Sequence, residues 1–124
     1  MKVVDAGVLV ELIASDLDPE TLGEDELAIP HLADTEVLSA LRSLVGRGEL
    51  EAPQAEEAMM VFSRLELTRF GAENLRQRMW ALRHHLSAHD ATYVALAEML
   101  GVDLLTTDAR LAAAPGTQCR IEVV

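Results

Sequence analysis

Short apolar runs alternating with helical stretches constrain this chain more than any other feature of its sequence. The runs Lys2–Asp5, Leu27–Ile29, Leu65–Thr68, Asp103–Thr106 and Arg120–Val124 have the length and composition of strands. Between them lie helical patterns at Val8–Ala14, from Pro30 to about Val45, from Pro53 to about Arg64, from Glu73 to about His85 with Leu75, Met79, Trp80 and Leu82 as its apolar residues, and from about Ala88 to Leu100. Gly46 and Gly48 end the second of these, Gly71 breaks the chain before the fourth, and Gly101 closes the fifth. The Asp-, Glu-, Pro- and Gly-rich segment Ser15–Glu26 reads as a loop with a helical turn after Pro19, and Asp108 opens a short helix that Pro115 and Gly116 end. Such alternation builds an α/β fold with a mainly parallel sheet and helices on both faces, since parallel neighbours need crossovers. Sheets of this kind bind ligands beyond the carboxyl ends of their strands. Asp5 and Asp108 fall at that edge.

The 124 residues, 50% hydrophobic, suffice for one core and are read as one domain spanning 1–124. Aromatic residues make up only 3%, so the core must be aliphatic and base-stacking platforms are not expected. A lone Cys119 cannot form an internal disulfide, which points to a reduced compartment. The apolar run from Val3 is broken at Asp5 and Glu11, as neither a membrane span nor a signal peptide would be. A soluble, cytoplasmic protein that avoids the membrane is therefore expected. The net charge of −11 opposes charge-driven binding to nucleic acid. Yet from Arg69 to His85 there are four Arg, two His and a single acid, Glu73, so a local basic stripe is available. Arg76, Arg78 and Arg83 are its candidates for phosphate contact.

Taken singly, the acids have ordinary explanations: Asp108 as a helix N-cap, Asp90 in a capping box opened by Ser87, Asp5 as the end of a strand. Glu36 is harder to dismiss. On a helix starting near Pro30 its neighbours one turn away are Leu32, Ala33 and Ala40, which puts its carboxylate at the rim of the apolar face. Asp34 projects to the other side. Asp90 sits above Val94 and Ala97 on a helix that is apolar nearly all round. Acids gathered at a partly buried site repel one another unless a cation neutralises them, and hard oxygen ligands select Mg²⁺ or Mn²⁺. Carboxylate-held metal can activate water and polarise a phosphoryl oxygen without a protein nucleophile.

Val3-Val4-Asp5, the segment PHLADTEVLSAL from Pro30 to Leu41, LSAHDATYVALAEMLG from Leu86 to Gly101, and LLTTDARL from Leu104 to Leu111 together resemble a PIN domain of the VapC toxin type. The resemblance spans nearly the whole chain. It implies a PIN-like three-layer sandwich with strand order 3-2-1-4-5 and a Mg²⁺-dependent endoribonuclease serving as the toxin of a type II toxin–antitoxin pair. It also implies a cognate VapB-type antitoxin, a homodimer and a toxin–antitoxin hetero-oligomer. The family's acids fall on Asp5, Glu36, Asp90 and Asp108, with Mn²⁺ a substitute for Mg²⁺, and its hydroxyl near the last acid falls on Thr106. Gly7 is a departure, because many members carry Ser or Asn there, beside the first acid.

Other readings compete. A catalytically silent PIN-like binding module suits the net charge and the few aromatics. A phosphatase-like acidic Mg²⁺ pocket would want a Lys, and the only one is Lys2. His85 and His89 have zinc-helix spacing, but the expected N-cap Ser87 falls between them. Met59, Met60 and Phe62 read as core or as a dimer contact.

Overall fold

The computed structural model describes residues 1–124. Five strands, β1 (Lys2–Val4), β2 (Leu27–Pro30), β3 (Leu67–Phe70), β4 (Leu104–Thr106) and β5 (Ile121–Val123), form one sheet in the order β3-β2-β1-β4-β5. Every pairing is parallel, with Val3 opposite Ala28 on one side and Leu104 on the other. The helices are α1 (Ala6–Ala14), α2 (Leu32–Gly46), α3 (Ala52–Arg64), α4 (Arg76–Ala81), α5 (Ala88–Leu100) and α6 (Ala109–Ala112). Crossovers leave β1 and β2 toward one edge, while those after β3 and β4 run toward the other. Right-handed connections then put α1 to α3 on one face and α4 to α6 on the opposite face.

The packing follows from composition. Helix α5 lies against β1, β2 and β4, and its residues Ala91 to Ala97 are all buried. Small side chains let a helix sit close on a sheet whose core residues Val3, Val4, Ala28, Ile29, Leu104 and Leu105 are nearly or wholly buried. Thr92 and Thr106 are the buried polar residues, and Tyr93, which carries a hydroxyl, is buried as well.

Three sequence-based boundaries shift. Pro30 ends β2 instead of opening α2, and the hydrogen bond to Phe70 O comes from His31 N at 2.9 Å, so the missing Pro N–H leaves no gap. The third strand is Leu67–Phe70, since Leu65 caps α3 and pairing with β2 sets Leu27 opposite Leu67. Helix α4 is only Arg76–Ala81, flanked by turns; Leu75 and Leu82 are buried as the periodicity predicts, whereas Trp80 is 68% exposed. No helix is long and apolar enough to cross a membrane.

Candidate active site

The strand order reverses direction between β1 and β4, and the crevice beyond their carboxyl ends is where an open parallel sheet leaves room for a ligand. Asp5 follows β1 directly. It is the N-cap of α1, its Oδ1 accepting Val8 N–H at 2.9 Å. Its Oδ2 accepts the hydroxyl of Thr106, the fully buried last residue of β4. The same Thr106 Oγ1 accepts Asp108 N–H at 2.9 Å, so one buried hydroxyl ties the first acid to the backbone of the last. Asp108 in turn caps α6 through Arg110 N–H at 2.9 Å.

From α2, Glu36 reaches the same edge, where the Tyr93 hydroxyl of α5 donates to its Oε1 at 2.5 Å. Asp90 lies in the first turn of α5, whose N-cap Ser87 accepts Asp90 N–H at 3.2 Å. Asp90 and Asp108 line one open cavity of about 420 Å³ with Ser87, Leu86 and Arg110. The local roles weighed for Asp90 and Asp108 are real, and so is their sharing of a pocket. Capping is what fixes these chain positions at the sheet edge.

Electrostatics separates the acids. Burial pushes the Asp5 carboxyl above the ordinary Asp value; the Thr106 and Val8 hydrogen bonds pull it down, and the negative charges of Asp90 and Glu36 push it up again. Asp108, its side chain 39% exposed, is held low by the Arg110 backbone N–H. Burial and then the bond to Glu36 raise the Tyr93 phenol well above its usual value, so it remains a donor. No group of three or more Asp, Glu, His or Cys side chains is arranged to hold a metal ion as the side chains stand. Asp5, Glu36, Asp90 and Asp108 are nonetheless hard oxygen donors, the kind Mg²⁺ takes together with several waters.

Asp34 does not join the cluster; it forms a two-bond fork with Arg69, at 2.8 and 2.9 Å. Of the basic stripe, Arg78 is taken up by Glu98 at 2.8 Å and Gly116 O at 2.8 Å, which correct its expected freedom to meet phosphate. Arg76 and Arg83 make no ion pair; they bond only to the Glu73 and Trp80 carbonyls. At Gly7 an added Cβ would collide with Thr107 Oγ1 and lie 3.4 Å from Asp5 Oδ1. Thr107 thus occupies the space beside the first acid that a side chain at position 7 would take. Sequence reasoning missed Tyr93, although a phenol within a buried apolar helix signals a polar partner.

Fold and site together define a three-layer α/β domain with an acidic crevice at its topological switch point. Comparison with known proteins narrows this. A sequence model described as "PIN domain" matches residues 2–116. Ribonuclease VapC9 of Mycobacterium tuberculosis is 41% identical over 125 residues, covering 100% of this chain and 98% of that protein. Among solved structures, PAE2754 from Pyrobaculum aerophilum superposes with a TM-score of 0.76 at 28% identity, covering 98% of this chain and 83% of that one. A toxin–antitoxin complex from Klebsiella pneumoniae shares the fold, with a TM-score of 0.70 at 19% identity and coverage of 99% and 97%. The chain belongs to the PIN-domain family, within its VapC type.

Proposed function

We propose that this chain is the toxin of a type II toxin–antitoxin pair, an endoribonuclease that hydrolyses RNA phosphodiester bonds with Mg²⁺, or Mn²⁺ in its place, at Asp5, Glu36, Asp90 and Asp108. The observation that carries the reading is Asp5: a half-buried carboxylate at the switch point, close enough to two further acids to feel their charges. Such a cluster calls for a cation. Whole-chain identity to a VapC ribonuclease supports the same chemistry.

When bound, the ion would supply charge neutralisation and an activated water. The chain's own residues prepare the site. Thr106 fixes the Asp5 carboxylate and the Asp108 backbone relative to each other. Tyr93 orients Glu36 by donating to one oxygen and leaving the other free for a ligand or a water. Asp108, held low by Arg110 N–H, stays ionised at the cavity mouth. With a net charge of −11, long-range attraction for RNA is weak, so productive binding rests on the bridging ion and on Arg76 and Arg83.

A basic antitoxin segment of VapB type would suit the same crevice, an Arg or Lys displacing the ion and blocking the phosphate. Its apolar side chains have a groove of about 280 Å³ between α2 and α3, lined by Leu38, Val45, Ala52 and Met59. The toxin is expected to act as a homodimer and to form a hetero-oligomer with its antitoxin.

The deciding experiment uses chain stripped of any partner, RNA, and Mg²⁺ or Mn²⁺ against an EDTA control. Cleavage should require the metal and vanish in Asp90→Asn. An unchanged rate in that variant refutes the site, and RNA binding with no cleavage under any metal favours the silent-module reading.

A further inference from the structure

The chain's single Trp stands outside the core. Trp80 on α4 is 68% exposed, while its neighbours Leu75 and Leu82 are buried. The Arg83 guanidinium carbon lies 4.5 Å from the centre of its ring, and Arg83 Nη1 donates to Trp80 O at 2.9 Å. This cation–π contact covers one face of the indole. With the residue 68% exposed, much of the indole stays accessible to a ligand.

That ring borders a hollow of about 230 Å³ lined by Arg76, Met79, Trp80, Arg83, Leu86 and Ala88. No carboxylate lines it, and its two arginines make no ion pair, in a chain whose net charge is −11. An apolar floor with an aromatic wall and a cationic rim fits a planar anionic ligand. Position narrows the choice further. Leu86 lines both this hollow and the cavity holding Asp90 and Asp108, so the two adjoin at the start of α5.

We propose that the Trp80 hollow is a nucleobase subsite beside the acidic crevice, where a base of the RNA next to the reacting phosphate stacks on the indole while Arg76 and Arg83 meet its flanking phosphates. The inference rests on the ribonuclease reading and adds a residue that helps set substrate preference. Every base has a stacking face, so the subsite tolerates sequence but favours purines, whose larger rings overlap the indole more. The low aromatic content argues against an extended platform and leaves this one ring to do the stacking.

Because Trp80 is the only Trp, fluorescence excited beyond the absorption of Tyr93 reports this site alone. The test uses partner-free chain carrying Asp90→Asn, with Mg²⁺, titrated with hexa-adenylate RNA and with an abasic ribose-phosphate oligomer of the same length. Hexa-adenylate should quench the fluorescence and the abasic oligomer should not. Adding Trp80→Ala should cost roughly tenfold in affinity for hexa-adenylate, measured by anisotropy of labelled RNA, and little for the abasic oligomer. Trp80→Phe should recover most of that loss, and circular dichroism checks that each variant folds.

An absence of quenching, or equal losses for both oligomers, overturns the subsite. So does a Trp80→Ala variant that keeps its RNA affinity but releases the antitoxin, since the hollow then belongs to a protein partner. Failure of the underlying reading looks different: the chain without substitutions would not cut RNA with Mg²⁺ or Mn²⁺, while hexa-adenylate would still quench Trp80 and support the subsite.

Discussion

The Tyr93 hydroxyl donates to Glu36 Oε1 at 2.5 Å, linking α5 to α2 between residues 57 apart in sequence. The two helices lie on opposite faces of the sheet, so the bond spans its carboxyl edge and fixes where Glu36 meets the crevice.

Tyr93→Phe should keep the fold, because the ring remains buried, but it removes the donor that orients the carboxylate. Loss of a hydrogen bond to a charged group costs about 1.5–3 kcal/mol, reduced here because water can reach Glu36. Cleavage should fall and need more Mg²⁺ for its half-maximal rate. An Mg²⁺ titration of the rate checks this; a wild-type curve would make the phenol a packing residue only.

Thr106 invites a sharper comparison. Its buried hydroxyl donates to Asp5 and accepts from Asp108 N–H, and valine has the same shape without the oxygen. Thr106→Val should therefore destabilise by about 1–3 kcal/mol, the cost of orphaned buried polar groups, and should disable cleavage. Thr106→Ser should stay close to wild type in activity. Urea unfolding of the two variants separates the hydroxyl from the methyl.

Much of this was legible before the structure, and the rest has physical reasons for its absence. Alternating apolar and helical segments give the α/β layering, but a two-residue shift leaves β3 plausible in either position until β2 supplies its partner Leu67. Pro30 carries a strong helix-start signal, yet a proline also fits the last residue of a strand, where its missing N–H is not needed. Arg78 looked as free as Arg76 and Arg83, because its partner Glu98 lies on another helix. The Tyr93–Glu36 bond was hidden for the same reason. The spacing of Trp80 with Leu75 and Leu82 suggests an apolar face, but spacing cannot reveal that α4 is only Arg76–Ala81 and leaves Trp80 exposed.

The Asp34–Arg69 fork gives a prediction about pH. The Arg69 hydrogen bond holds the Asp34 carboxyl below its ordinary value. A depressed folded-state value means stabilisation that is present above the ordinary Asp range and is lost as pH falls through the depressed one. Both side chains are more than a third exposed, at 40% and 39%, so screening limits the contribution to about 0.2–1 kcal/mol. Asp34→Asn should be less stable than wild type by that amount at neutral pH, with the gap closing in acid. Unfolding curves across the acid range decide it, and a gap that widens in acid contradicts the pairing.

Metal should stabilise this protein through the same residues that cut RNA. At neutral pH, burial disfavours the charged Asp5 carboxylate, and Glu36 and Asp90 add repulsion, so the metal-free fold carries a strained cluster at its switch point. A ligand that binds only the folded state stabilises it by about 2.7 kcal/mol at a concentration 100 times its dissociation constant. Mg²⁺ should therefore raise the melting temperature of wild-type chain by several degrees, in a concentration-dependent way that EDTA reverses. Asp5→Asn keeps a side-chain oxygen able to cap α1, and Asp90→Asn keeps the Ser87 cap of α5, so both should fold. Each also removes one charge from the cluster, which should leave the metal-free variants no more than slightly less stable than wild type, with far less added by Mg²⁺. Asp34→Asn is the control, because its carboxylate faces Arg69, and it should keep the full metal response. Equal Mg²⁺ shifts in all three variants and wild type would mean that the ion stabilises the acidic surface generally, and the crevice would lose its claim to the metal.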